Sequence, residues 1–110
     1  MTDLSALIAR LEAGSGEDAY ETKADLACDI GIAIEGCLIN PHSHTVLRAL
    51  ENSLDAALAF AEAVKTPIEQ IQWMPNGVIA NTFHACGVGV DAARACLIAT
   101  LKALEAKAHD

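Results

Sequence analysis

Apolar positions along most of this chain recur at intervals of three and four, the period of a helix packed on one side. Leu4, Leu7, Ile8 and Leu11 open it in this way, with Asp3 placed to cap the run and Gly14 and Gly16 to end it. A second run follows a capping box at Ser15 and Asp18 and predicts a helix to about Ile30, with Ala19, Leu26, Ala27 and Ile30 turned inward. The stretch "GIAIEGCLIN", residues 31 to 40, reads as a continuation of that helix, an apolar connector or a short strand, because Gly31 and Gly36 both weaken a helix. Asn40-Pro41 is a boundary, since the residue before a proline avoids helical angles. Leu47, Leu50, Leu54, Ala57, Leu58 and Ala61 then predict one long helix from about Ser43 to Val64, stopped by Thr66-Pro67. A last helix is expected from a cap at Asp91 to Lys107, with Ala93, Cys96, Leu97, Thr100, Leu101 and Leu104 on its inner face.

Between residues 68 and 86 the period changes to two. Met74-Pro75-Asn76-Gly77 suits a turn with proline at its second position, and Gly77 would complete a three-residue hairpin loop. In that register Met74 opposes Val78, and Ile71 and Trp73 share an apolar face with Ile79 and Phe83. The opposite face carries Gln70, Gln72, Ala80, Thr82, His84 and Cys86. A two-stranded hairpin needs helices on its apolar side, so Ile71, Trp73, Ile79 and Phe83 are expected in the core. The expected fold is therefore α+β and mainly helical: one domain over residues 1–110, with about four helices around a single antiparallel hairpin at residues ~68–86.

Composition sharpens this picture. Apolar residues make up 53% of the chain and aromatics 4%, so the core must be built from aliphatic side chains and alanine. A mean hydropathy of +0.30 is high for so short a chain and predicts a homodimer that covers surplus apolar surface. The net charge of −8 repels phosphate, which excludes direct nucleic-acid binding and attraction to anionic lipid and favours a protein partner with a basic surface. Without a membrane span or a signal peptide in view, four cysteines read as reduced thiols, and the expected location is the cytoplasm of a host cell.

Candidate chemistry is sparse. Cys28, Cys37, His42, His44, His84, Cys86 and Cys96 offer metal-binding atoms, but no CxxC or HExxH spacing joins them, so neither metal nor cofactor is expected. His84 and Cys86, two apart on a strand, would lie roughly 7 Å apart, beyond the reach of a catalytic dyad. Gly87 and Gly89 serve to turn the chain from strand into helix. With no catalytic residues assigned, two surfaces remain. Glu17, Asp18, Glu21, Asp25 and Asp29 form an acidic ridge on the second helix, repeating about every 6 Å, of the same order as phosphate spacing along a nucleic-acid strand. Like charges so spaced cost helix stability, and a solvated face that keeps the chain in solution is the first reading of them, ahead of a functional ridge. Gln72, Thr82 and His84 form a possible ligand face on the hairpin.

Three segments in order, "LIARLEAGSG" leading to "ADLACDIG", then "SLDAALAF", then "ARACLIATLKAL" after a tryptophan-bearing hairpin, resemble small bacteriophage-encoded proteins of the phage "ABA sandwich" type. The resemblance implies a helix, hairpin, helix arrangement and a phage or prophage origin. It carries over Leu54, Ala57, Trp73, Cys96 and Leu101 as core positions and supplies no catalytic motif. The expectation is a non-enzymatic accessory protein that binds a host or phage protein. A concrete version is an anti-defence, anti-CRISPR-like inhibitor that sets its acidic helix into a basic groove. The alternatives are a virion-associated assembly module and, behind it, a small-ligand or zinc-binding protein.

Overall fold

The computed structural model describes residues 4–14, 19–37 and 39–108. In chain order these form α1 (Leu4–Ala13), α2 (Tyr20–Glu35), α3 (Ser43–Leu50), α4 (Leu54–Ala63), β1 (Gln70–Met74), β2 (Gly77–Asn81), β3 (Cys86–Gly89) and α5 (Ala92–Ala108). The α+β, mainly helical expectation holds, but the described residues contain five helices where about four were expected, and a three-stranded sheet where a hairpin was expected.

Helix α5 is the centre of the molecule. From Ala93 to Leu101 every residue is buried, as a helix surrounded on all sides must be. One side of it lies on β2 and β3, and α1, α3 and α4 pack around the rest. Asp91 caps it as expected, its Oδ1 accepting the Arg94 N–H at 2.8 Å. Leu7, Ile8 and Leu11 seat α1 on the common core, and the Ser5 hydroxyl donates to the Glu105 carboxylate across the α1–α5 contact. Arg94 is buried as well, and its guanidinium Nη1 donates to the Leu11 carbonyl at 2.9 Å. That carbonyl belongs to the last turn of α1, where a cation also meets the negative end of the helix dipole.

The single long helix expected from Ser43 to Val64 is two helices. Asn52 adopts φ 80°, the left-handed conformation that ends α3, and Ser53 then caps α4 by accepting the Ala56 N–H on Oγ at 3.2 Å. The apolar stripe runs through the break, because Val46, Ala49, Leu50, Ala56, Ala57, Phe60 and Ala61 are all buried. Helix α2 resolves the ambiguous segment by continuing through Gly31 to Glu35 and ending on Gly36 at φ 72°. Asn40 holds the turn that follows. Its Oδ1 accepts the backbone N–H groups of His42 and Ser43, each at 2.9 Å, and its Nδ2 donates to the Cys37 carbonyl at 3.1 Å. A Cβ on Gly31 would fall 2.4 Å from Asn40 Oδ1, so the glycine is what lets this cap pack against α2. The capping residues expected at Asp3 and at Ser15 and Asp18 lie outside the described residues.

The hairpin differs most from expectation. Its loop has two residues, Pro75 and Asn76, so Met74 pairs with Gly77 and Trp73 with Val78. This one-residue change exchanges the faces of β2. Val78 and Ala80 turn to the core beside Ile71, while Ile79 turns outward. A tight turn over Thr82–Ala85 returns the chain as β3, antiparallel to β2, with Ala80 opposite Gly87 and Val78 opposite Gly89. Gly87 and Gly89, expected only as a connector, therefore face α5. A Cβ on Gly87 would sit 2.4 Å from Ala99 N and 2.7 Å from Ala95 O, and one on Gly89 would sit 2.6 Å from Ala95 N. Backbone meets backbone there, so β3 has room only for glycine on its buried side. Trp73 and Phe83 are not core residues: they are 67% and 83% exposed.

Candidate functional site

The two surfaces expected from the sequence fare differently. Of the acidic ridge, Glu17 and Asp18 lie outside the described residues. Glu21 and Asp25 stand exposed on successive turns of α2. Asp29 is committed elsewhere, its Oδ2 lying 2.7 Å from Arg10 Nη1, which fastens α2 to α1 at the surface. With Asp29 tied to a guanidinium, the ridge narrows to Glu21 and Asp25, flanked by exposed Tyr20.

The polar hairpin face does not assemble. Gln72 is exposed on the outer side of the sheet, opposite Ile79. Thr82 follows Val78 and Ala80 on the buried side, and its hydroxyl is consumed in building the turn to β3. Oγ1 donates to the Ala85 carbonyl at 3.1 Å and accepts the N–H groups of His84 at 3.1 Å and Ala85 at 3.0 Å. His84 sits in that turn, exposed, with its ring edge-on to Phe83 at a centroid distance of 5.0 Å. Gln72, Thr82 and His84 therefore point into three different environments, and Thr82 has a structural task.

What the sheet presents instead is an open outer face. Gln72, Ile79 and Val88 form one row across the three strands, since Ile79 pairs with both of the others. Met74 lies diagonal to that row, 51% exposed, and Val88 is 55% exposed. Val90, just past β3, joins Trp73, Met74 and Pro75 around a shallow hollow of about 400 Å³ at the hairpin end. The inner face is covered by α5, with Val78 and Ile71 turned into the core, and Trp73, Met74 and Val88 stand exposed at the rim and on the outer face.

A second hollow, about 470 Å³, lies between the end of α2 and the last turns of α4, lined by Glu35, Pro41, His42, Thr45, Ala59, Phe60 and Ala63. His42, which the sequence offers only as a source of metal-binding atoms, is buried at the start of α3. Its Nε2 donates to Glu35 Oε1 at 2.7 Å, and its ring meets Phe60 edge-on at 5.6 Å. The arrangement ties α2, α3 and α4 together.

Among the described residues no three His, Cys, Asp or Glu side chains are grouped so as to hold a metal ion. Cys37 and Cys86 are exposed, Cys28 is half-buried and Cys96 is buried. Burial pushes the Cys96 thiol up to about 11, and the nearby Asp91 carboxylate adds to the rise, so at neutral pH this sulfur is an apolar filler. Among the described residues no helix is long and apolar enough to cross a membrane. Compared with protein-family models, with curated proteins and with solved structures, the chain matches none.

Proposed function

We propose that this chain acts by contact, as a non-enzymatic accessory protein that binds another protein. The observation that carries the reading is the outer face of the sheet. Met74, Ile79 and Val88 lie together on the side away from α5, with Val90 at the margin and Gln72 as the polar member of their row. A contiguous apolar group with a polar border is the kind of surface a protein partner covers. The phage-like segment order supplies the setting, a phage or prophage product working in the host cytoplasm.

The finer version gives the partner a basic surface and makes the protein an anti-defence inhibitor. Glu21 and Asp25 favour it, being exposed a helical turn apart and aimed away from the core. Binding of that kind weakens as salt rises. The test is capture of partners from a host lysate, identified by mass spectrometry, with the wild type beside two double variants. Met74→Glu with Val88→Glu charges the open face, and Glu21→Lys with Asp25→Lys reverses the ridge. Loss of the same partner in the first variant supports contact through the sheet. Loss in the second supports the inhibitor version, and retention in both removes this reading.

The second reading, an assembly module that joins copies of itself, is favoured by a separate feature, the free edge of β1.

A further inference from the structure

We propose that two copies of this chain join through β1, antiparallel about a two-fold axis at Gln72, to make one continuous six-stranded sheet. The inference is independent of the partner-binding reading, because it uses the edge of the sheet and not its outer face or the acidic helix.

The sheet order is β1-β2-β3, so among the described residues β1 pairs on one side only. The two-residue turn makes Met74 and Gly77 a hydrogen-bonded pair, and the antiparallel alternation then assigns the same role to Gln72 with Ile79 and Gln70 with Asn81. At the strand entrance the alternation ends, because the Glu69 N–H also turns inward and reaches the Asn81 carbonyl at 2.8 Å. The residues between, Ile71 and Trp73, must direct their backbone N–H and C=O groups outward, along the free edge.

This parity selects a register. A second β1 can bond only where outward groups meet outward groups. Pairing Ile71 with the second copy's Ile71 would carry Trp73 opposite Glu69, whose N–H is already used. Pairing Trp73 with the second copy's Trp73 would carry Ile71 opposite Pro75, which has no N–H. Pairing Ile71 with the second copy's Trp73 places both bonded pairs inside the strand and sets Gln72 opposite Gln72. It also covers the exposed indole with an aliphatic side chain on the helix side of the sheet, a favourable cross-strand pair.

The register is self-complementary, each Ile71 meeting the other copy's Trp73, and no charge on the edge opposes a second copy as the occupant. Edge strands that avoid association carry lysine, proline or inward charges, and Gln70–Met74 carries none of these. In the selected register the nearest charged side chain in sequence, Glu69, falls beyond the ladder, opposite Pro75 of the other copy. The seam is neutral while each copy as a whole carries −8. Association must therefore strengthen as salt screens the long-range repulsion, the opposite of the salt dependence expected for a basic partner.

The mass in solution, by sedimentation equilibrium, is expected to rise from 11.5 kDa toward twice that value with protein concentration, and to rise further with added salt. Acrylamide quenching of the single tryptophan should fall over the same range. Gln72→Lys sets two ammonium groups face to face at the axis and should hold the mass at that of one chain, with an unchanged melting profile. With Cys28, Cys37 and Cys86 replaced by serine, Gln72→Cys should oxidise to a covalent dimer, because a non-hydrogen-bonded pair brings the two Cα atoms to about 4.5 Å. Gln70→Cys, which faces Met74 in this register, should not. The proposal is overturned by a wild-type mass that stays at one chain at every concentration and salt. A dimer that survives Gln72→Lys, or cross-linking that is equal at Gln70 and Gln72, overturns it as well.

Discussion

Replacing Gly87 by alanine probes the contact on which the fold depends. The new Cβ would lie 2.4 Å from Ala99 N, 2.7 Å from Ala95 O and 2.9 Å from Ala99 Cα. Non-bonded heavy atoms rest at about 3.5–4.0 Å, so the strand and α5 must separate by about 1 Å. All three obstructing atoms are backbone, and no side-chain rotation relieves them. Behind this contact lie Leu97, Ile98 and Leu101, fully buried, so moving the helix opens gaps on one side while it crowds the other. A radial gap of that size forfeits about a quarter to a half of each contact it affects, and overpacking of a well-filled core costs about 1–3 kcal/mol. The upper part of that range, about 3 kcal/mol, is expected here.

Two other glycines calibrate the effect. At Gly36 a Cβ meets nothing within 4 Å, and the cost is that of the left-handed angle alone, about 1 kcal/mol. At Gly31 the obstruction is the Asn40 amide and the Ser43 hydroxyl, side-chain groups that can turn away, at the cost of the α3 cap, about 1 kcal/mol. Urea unfolding followed by circular dichroism ranks the three. With a slope of about 1–3 kcal/mol per molar, Gly87→Ala should lower the midpoint by about 1–3 M and the other two by less. A Gly87→Ala midpoint above that of Gly36→Ala would show that α5 does not press on β3 as described.

Three further outcomes follow from particular contacts. Arg94→Met keeps the volume but leaves the Leu11 carbonyl without its donor, and should cost about 1–3 kcal/mol in urea unfolding, with protection of α1 amides from hydrogen exchange lost first. Lys65→Gly relieves a non-glycine residue at φ 64° after α4, and should raise stability by about 0.5–1 kcal/mol. The Cys96 thiol ionises more readily in the unfolded chain than in the folded one, where its value is about 11. Its contribution is complete below the unfolded thiol range and is lost as pH rises toward 11, so urea midpoints should fall over that interval, and less steeply in Cys96→Ala.

The helices were legible because their determinants are local. Periodicity, the Asp91 cap and the boundary at Asn40-Pro41 all act within a few residues of where they stand. The break at Asn52-Ser53 was equally local, an asparagine able to turn left-handed followed by a capping serine, but the apolar stripe runs through it and masks it. The sheet register was not legible in the same way. Met74-Pro75-Asn76-Gly77 suits a two-residue or a three-residue loop, and choosing between them by burying the largest side chains put Trp73 and Phe83 inside. The deciding contact is long-range: α5 approaches β3 so closely that only glycine and alanine fit between them.

The same physics explains why the polar face expected on the hairpin does not assemble. Where α5 presses on Gly87 and Gly89 the sheet has no room for a side chain, and Trp73, Met74, Val88 and Val90 stand exposed at the rim and on the outer face. Apolar surface is thus exposed on a chain of net charge −8. A polar face at Gln72, Thr82 and His84 could not survive the change of register, because Thr82 moved to the buried side and its hydroxyl went to the turn. Exposed apolar edge and charged helix end up on different elements, and salt should act on them in opposite directions. Binding through Glu21 and Asp25 should fade with ionic strength, and joining through β1 should grow.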